Sequence, residues 1–328
     1  MLKSIQVLPR ANDRWRRFSE DRSLSLVREP IVGPDDVVFA MGSCFAREIR
    51  FALEALGVRV TPDYGRIAID HDRYRIDDLP EDPHLNYYNS FTILQEFERH
   101  LGLWKQRPDD RWAVPRGPFR NGGAFHDPYK RLVFGRTPAD LEEAVHRVNE
   151  VIDEGIRRAN VFFFTFGMVE VFRKRDDGRI ACQKPAYLGG GGVQETTLHL
   201  SGFVENRANM EALRDHIKAI NSDARIVVTV SPVPLERTFS DRDIVVANME
   251  GKATLRAAAG EFARAHDDVT YFPAFEIVTA AGAAAYEARD LRHVDRSTVD
   301  VIMRAFVRAH VTAALGSDAR KAVRTEQG

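Results

Sequence analysis

Val37-Val38-Phe39-Ala40-Met41-Gly42-Ser43-Cys44-Phe45-Ala46 decides how this chain is read. An apolar run ends in Gly42-Ser43, and an amphipathic pattern, Arg47-Glu48-Ile49-Arg50-Phe51-Ala52-Leu53-Glu54, begins at once. Together they predict a buried strand that turns sharply into a helix, with a serine at the turn. A serine there has its hydroxyl at the carboxyl edge of a sheet. Its N–H is one of the unpaired donors of a helix N-terminus, where negative charge is favoured. Such a corner suits a nucleophile whose tetrahedral intermediate needs a site for an oxyanion. The bland reading of the same residues is a helix cap.

Working outward, five segments have the composition of buried strands: 36–41, 59–62, 161–166, 225–231 and 269–272. Helical patterns follow or separate them at 45–56, 141–158, 205–220, 248–266 and 297–314, with a cap expected near Thr137 or Asp140. Strands alternating with helices predict an α/β fold, a parallel sheet of about five strands covered on both faces. Residues 1–35 read as an N-terminal extension, residues 36–316 as a single domain, and 317–328 as a flexible tail. Two stretches exceed a minimal unit: a large insertion after the second strand, 63–136, with an amphipathic helix at 91–101, and a smaller one at 173–204. Segments this long are expected to fold. At the carboxyl edge they would shape a substrate cleft.

The chain has 328 residues, 44% of them hydrophobic and 29% charged, which is ordinary globular composition. A net charge of −1 gives no reason to expect nucleic acid or an anionic membrane as a partner. The first ten residues lack the apolar core of a signal peptide, and no stretch reads as a membrane span. With two cysteines, Cys44 and Cys182, a disulfide framework is not expected. These features predict a cytoplasmic protein with free thiols. No His/Cys/Asp grouping has a zinc-type spacing, so no metal or other cofactor is expected. His126-Asp127-Pro128 reads as an isolated turn. Gly189-Gly190-Gly191-Gly192 lacks a following Gly-Lys-Ser/Thr and is no phosphate loop.

A serine nucleophile needs a base at neutral pH, usually histidine. Of ten histidines, His293 stands out because Asp290-Leu291-Arg292-His293 lies between the last predicted strand and the last helix. Asp-x-x-His lets one short turn present a carboxylate to the imidazole, leaving the other ring nitrogen for a serine. Cys44, beside Ser43, is an alternative nucleophile if the helix N-terminus lowers its thiol pKa.

Met41-Gly42-Ser43-Cys44-Phe45-Ala46 resembles the signature of the GSCFA family, a branch of the SGNH/GDSL hydrolase superfamily. Thr165-Phe166-Gly167-Met168-Val169-Glu170-Val171-Phe172, Cys182-Gln183-Lys184-Pro185, Thr229-Val230-Ser231-Pro232-Val233-Pro234-Leu235, Tyr271-Phe272-Pro273 and Glu276 also resemble its elements, in order. The resemblance implies a three-layer α/β/α sandwich of flavodoxin-like layout. It implies Ser43 as nucleophile, His293 as base and Asp290 as its orienting acid. The activity implied is an esterase or acyltransferase acting on O-acyl groups, acetyl above all, of a carbohydrate or similar small ester.

The departure from the superfamily pattern lies after the third strand. A Gly-x-Asn loop there commonly supplies an oxyanion donor, but this chain reads Gly167-Met168-Val169-Glu170, with Val169 at the Asn position. The remaining oxyanion or substrate-binding candidates are Gly42, Cys44, Gly167, Asn86, Asn89 and Gln183, with Glu170 either a substrate-facing acid or half of a salt bridge. Asn86 and Asn89 read equally well as turn and cap residues. The missing Asn also fits a second reading: a catalytically weak or inactive binding protein on the same fold, serving polysaccharide biosynthesis.

Overall fold

Alternation along each central strand is what builds the protein. In the computed structural model, β1 (Val37–Gly42) sends Phe39 and Met41 to one face and Val38 and Ala40 to the other. The next central strands, counting every strand in chain order, are β2 (Arg59–Thr61), β7 (Val161–Phe166), β11 (Arg225–Val230) and β12 (Val269–Tyr271). In β7, Phe162, Phe164 and Phe166 join Phe39 on the first face, while Val161 and Phe163 join the second. Both faces are apolar because both are covered, as a parallel sheet requires.

The structure describes residues 28–182 except 116 and 120–122, residues 195–315, and the isolated positions Phe18, Leu24 and Leu26. The central sheet runs in the order β12-β11-β7-β1-β2, and every pairing in it is parallel. Read along the chain this is the flavodoxin-like order 2-1-3-4-5, whose direction reverses between the first and third strands. Gly42 pairs with Thr165 across that switch point.

One face is covered by α3 (Pro138–Arg158), α4 (Phe203–Ile220) and α5 (Ile244–Ala265). The other is covered by α1 (Cys44–Glu54), α6 (Ala274–Ala281) and α7 (Arg296–His310). Thr137 and Asp140 act together: Thr137 caps α3 and Asp140 closes the capping box. Two boundaries differ most from the sequence reading, by four residues each. Helix α5 begins at Ile244, because Asp243 caps it through Val245 N, and its first apolar residues are solvent-facing and so do not mark the buried stripe. Helix α7 stops at His310, where Val311 turns out to pair with Val32.

The insertions fold as small antiparallel sheets. After β2 come β3 (Tyr74–Ile76), β4 (Trp112–Val114), β5 (Ala124–His126) and β6 (Val133–Gly135), in the order β3-β6-β5-β4, with α2 (Ser90–His100) packed on the core. After β7 come β8 (Glu170–Lys174), β9 (Ile180–Ala181) and β10 (Thr196–Leu200), in the order β10-β8-β9. His126, expected in a turn, lies in β5 instead, fully buried against Trp112 and Phe134. Among the described residues no helix is long and apolar enough to cross a membrane. The glycine run 189–192, Gln183 and the tail from residue 317 fall outside the described residues.

Candidate active site at the β1–α1 corner

Gly42 is fixed by sterics. Its φ is +149°, and a Cβ on it would lie 2.3 Å from Thr165 Oγ1 and 2.5 Å from Thr165 O. Only glycine permits both the backbone conformation and this approach of β1 to β7. The chain then passes into Ser43, which caps α1 with extended backbone, its Oγ accepting from Phe45 N at 3.4 Å.

Ser43 is only 2% exposed and tied to β7. Its N–H donates to Thr165 Oγ1 at 2.7 Å, and its Oγ lies 3.0 Å from the same hydroxyl oxygen. Either hydroxyl can donate in this pair; with Thr165 as the donor, the Ser43 proton is free for a base. Ser43 opens onto a cavity lined by Cys44, Tyr88, Gly167, Ser231, Lys252 and Arg292 among others. Tyr88 comes from the first insertion, whose Tyr87 N–H donates to Gly42 O at 2.7 Å and holds the segment along the corner.

Asp290 and His293 are organised by their own turn. Asp290 Oδ1 accepts from Arg292 N and His293 N, both at 3.0 Å, and Oδ2 meets His293 Nδ1 at 2.5 Å. The imidazole hydrogen bond and these two N–H groups hold the Asp290 carboxyl well below the usual carboxylate range. The other ring nitrogen, Nε2, faces Arg292 Nη1 at 3.3 Å, and no Ser43–His293 hydrogen bond is present. Carboxylate and imidazole are thus together, serine and imidazole are not bonded, and Arg292 stands at both the imidazole and the cavity.

The expected oxyanion donors fare differently. Gly167 sits against Ser43, but its N–H donates to Tyr88 O at 2.8 Å, as does that of Met168 at 3.0 Å. The Ser43 N–H is held by Thr165. Both backbone donors foreseen from the sequence are therefore engaged within the protein. Val169 packs on α5 at Gly251, and its carbonyl accepts from Ser201 N. Asn89 caps α2, its Oδ1 accepting from Thr92 N at 3.0 Å. Asn86 bridges Gly42 through its backbone, and its buried Oδ1 has no hydrogen-bond partner among the described residues.

Glu170 is buried, and among the described residues its carboxylate accepts from Thr238 Oγ1 at 2.5 Å and Phe239 N at 2.8 Å, not from an arginine or lysine. With Asn89 and Cys182 it lines a neighbouring cavity, which shares Tyr88 and Met168 with the first.

Cys44 does not show the thiol activation considered for it. Burial pushes its thiol up, against the opposing pull of Arg292 and Arg47. His84 lies buried behind the corner. Burial pushes its imidazole down to about 3, so it is uncharged.

Three groups at this edge carried a weaker sequence signal. Thr165 is a hydroxyl inside an otherwise apolar strand. Lys252 lies on the buried stripe of α5, with Gly251, Leu255 and Ala259. Arg292 sits inside the Asp-x-x-His spacing itself. The carboxylates Asp110, Asp176 and Asp177 could converge on a cation, but Lys174 Nζ already reaches all three, at 2.5, 3.5 and 3.7 Å.

A search of curated proteins returns no match. The family comparison does: from β1 into α7, residues 37–306 match the model of the GSCFA family, and the chain belongs to that family.

Proposed function

We propose that the protein is a serine esterase or acyltransferase working through an acyl-serine intermediate, of the SGNH hydrolase type. Its substrate in this reading is an O-acyl group, acetyl foremost, on a carbohydrate or related small ester. The observation that carries it is Ser43, whose hydroxyl is fixed at the switch point and opens onto a cavity at the carboxyl edge of the sheet.

In the acylation step Ser43 Oγ forms a bond to the ester carbonyl carbon while its proton passes to His293 Nε2. Asp290 holds the Nδ1–H and stabilises the imidazolium. Collapse of the tetrahedral intermediate breaks the ester C–O bond, and His293 returns the proton to the leaving alcohol. Water, or an acceptor hydroxyl, then repeats the sequence on the acyl-serine. The step requires His293 Nε2 to exchange Arg292 for Ser43. Catalytic hydrogen bonds of this kind are often long without substrate and tighten when it binds.

The competing reading is a glycan-binding protein on the same fold, acting with polysaccharide-assembly partners. What favours it is the engagement of the Gly167 and Ser43 N–H groups inside the protein. Hydrolysis of p-nitrophenyl acetate separates the two. The enzyme reading predicts turnover that Ser43→Ala reduces by on the order of 10⁴-fold or more and Cys44→Ala leaves largely intact. Turnover equal in wild type and Ser43→Ala contradicts it.

A further inference from the structure

Among the described residues Lys252 is the one lysine lining the cavity, and it is 2% exposed. Burying an ammonium is costly unless it is paired and hydrogen-bonded. Its Nζ donates to Gly167 O at 3.0 Å, and no carboxylate among the described residues forms an ion pair with it. One of three N–H donors is therefore used. The charged neighbours that face it are Arg292, across the cavity, and the Cys44 thiol on α1, with the paired Glu236 and Arg237 further along the wall. A second cation beside it makes its position costlier still.

The two backbone donors expected of this cavity are turned elsewhere. The Gly167 and Ser43 N–H groups are engaged, and Val169 faces α5. Gly167 itself shows the exchange. Its N–H is turned toward Tyr88, and its carbonyl anchors an ammonium on the Ser43 side.

We infer that Lys252 is the oxyanion donor of this site: anchored to the Gly167 carbonyl, its ammonium donates a further hydrogen bond to the oxygen that gains negative charge when Ser43 attacks. The inference rests on the acyl-serine reading above. In the attack the carbonyl π pair moves onto that oxygen as the Oγ–C bond forms, and Lys252 keeps its proton throughout. Burial pushes the Lys252 ammonium down to about 7; Cys44 opposes that shift and Arg292 adds to it. A neighbouring oxyanion favours the charged form again, so the stabilisation is concentrated where the charge develops.

The test pairs Lys252→Met with Lys252→Gln, which places a carboxamide donor where the methionine has none. With p-nitrophenyl acetate, Lys252→Met is expected to lower kcat by about 10²–10³-fold, with KM within about threefold. Lys252→Gln should recover at least about tenfold of that loss, because it restores a neutral N–H donor. Wild-type kcat/KM should fall as pH rises through 7, Cys44→Ala should keep that fall, and Lys252→Gln should lose it. An independent arm needs no turnover. Inorganic phosphate should bind the Ser43→Ala protein, measured by calorimetry, and bind at least about tenfold more weakly when Lys252→Gln is added, as expected on losing a charged donor. Wild-type kcat in a folded Lys252→Met, an alkaline profile flat from pH 7 to 9, or equal phosphate affinity in both proteins overturns the inference. Phosphate binding that depends on Lys252 in a protein without turnover would instead overturn the acyl-serine reading and leave the anion site standing.

Discussion

The β1–α1 corner and the loop before α7 bring the two halves of the proposed site to one edge under opposite constraints. Ser43 is 2% exposed and bonded through both N–H and hydroxyl to Thr165 in the neighbouring strand. Its partner pair lies in the open: the side chains of His293 and Asp290 are 45% and 33% exposed. The corner is held by the sheet. The loop is held by itself, through the Tyr286–Val294 bridge and the Asp290 carboxylate, with Leu291 in the left-handed region at φ +51°. A buried nucleophile and an exposed base suit different demands. In the proposed mechanism the first is held still during attack, and the second exchanges Arg292 for Ser43 and back again.

Breaking the corner should therefore cost far more than disturbing the loop. Gly42→Ala puts a methyl group 2.3 Å from Thr165 Oγ1, and no flexible side chain is available to yield. We expect a loss of unfolding free energy above about 3 kcal/mol, read from urea denaturation. Activity should vanish with it. A protein of near wild-type stability would show that β1 and β7 can separate at the switch point.

Asp290→Asn separates chemistry from stability in the other half. The carboxamide cannot hold the Nδ1–H and stabilise an imidazolium as a carboxylate does, so kcat should fall by about 10²–10⁴-fold. The urea midpoint at neutral pH should hardly move, as for an exposed ion pair. The smallest effect concerns pH. Asp290 is held below the ordinary carboxylate range in the folded state, so its contribution is complete above the unfolded value of about 3.9 and is lost as pH falls below it. Urea midpoints at pH 6 and pH 3 should differ slightly less in Asp290→Asn than in wild type. An equal or larger difference would mean that the turn is not held by the carboxylate.

The same contrast governs what could be read from the residues. The five central strands are runs such as Val161-Phe162-Phe163-Phe164-Thr165-Phe166, where composition and burial agree, so the parallel sheet and its covering helices other than the short α6 were legible. The antiparallel insertions were not. Their strands are as short as Ile180–Ala181, and Tyr74–Ile76 pairs with Val133–Gly135 across a long stretch of intervening chain. Within the site, Ser43 carried a local signature, and so did Asp290 with His293, because each is shaped by its immediate neighbours. Thr165, Lys252 and the turning of the Gly167 N–H toward Tyr88 depend on how β7, α5 and the first insertion meet. No spacing along the chain encodes that meeting. Lys252 nonetheless left a trace: a lysine among the small and apolar residues of the buried α5 stripe.

Ser43 as a nucleophile served by His293 is most directly tested by peptide mass mapping after treatment with a fluorophosphonate. The account predicts one phosphonyl adduct on the peptide carrying Ser43, absent in Ser43→Ala and formed far more slowly in His293→Gln. A folded wild-type protein with no adduct at Ser43, or with labelling at the same rate in His293→Gln, would contradict it.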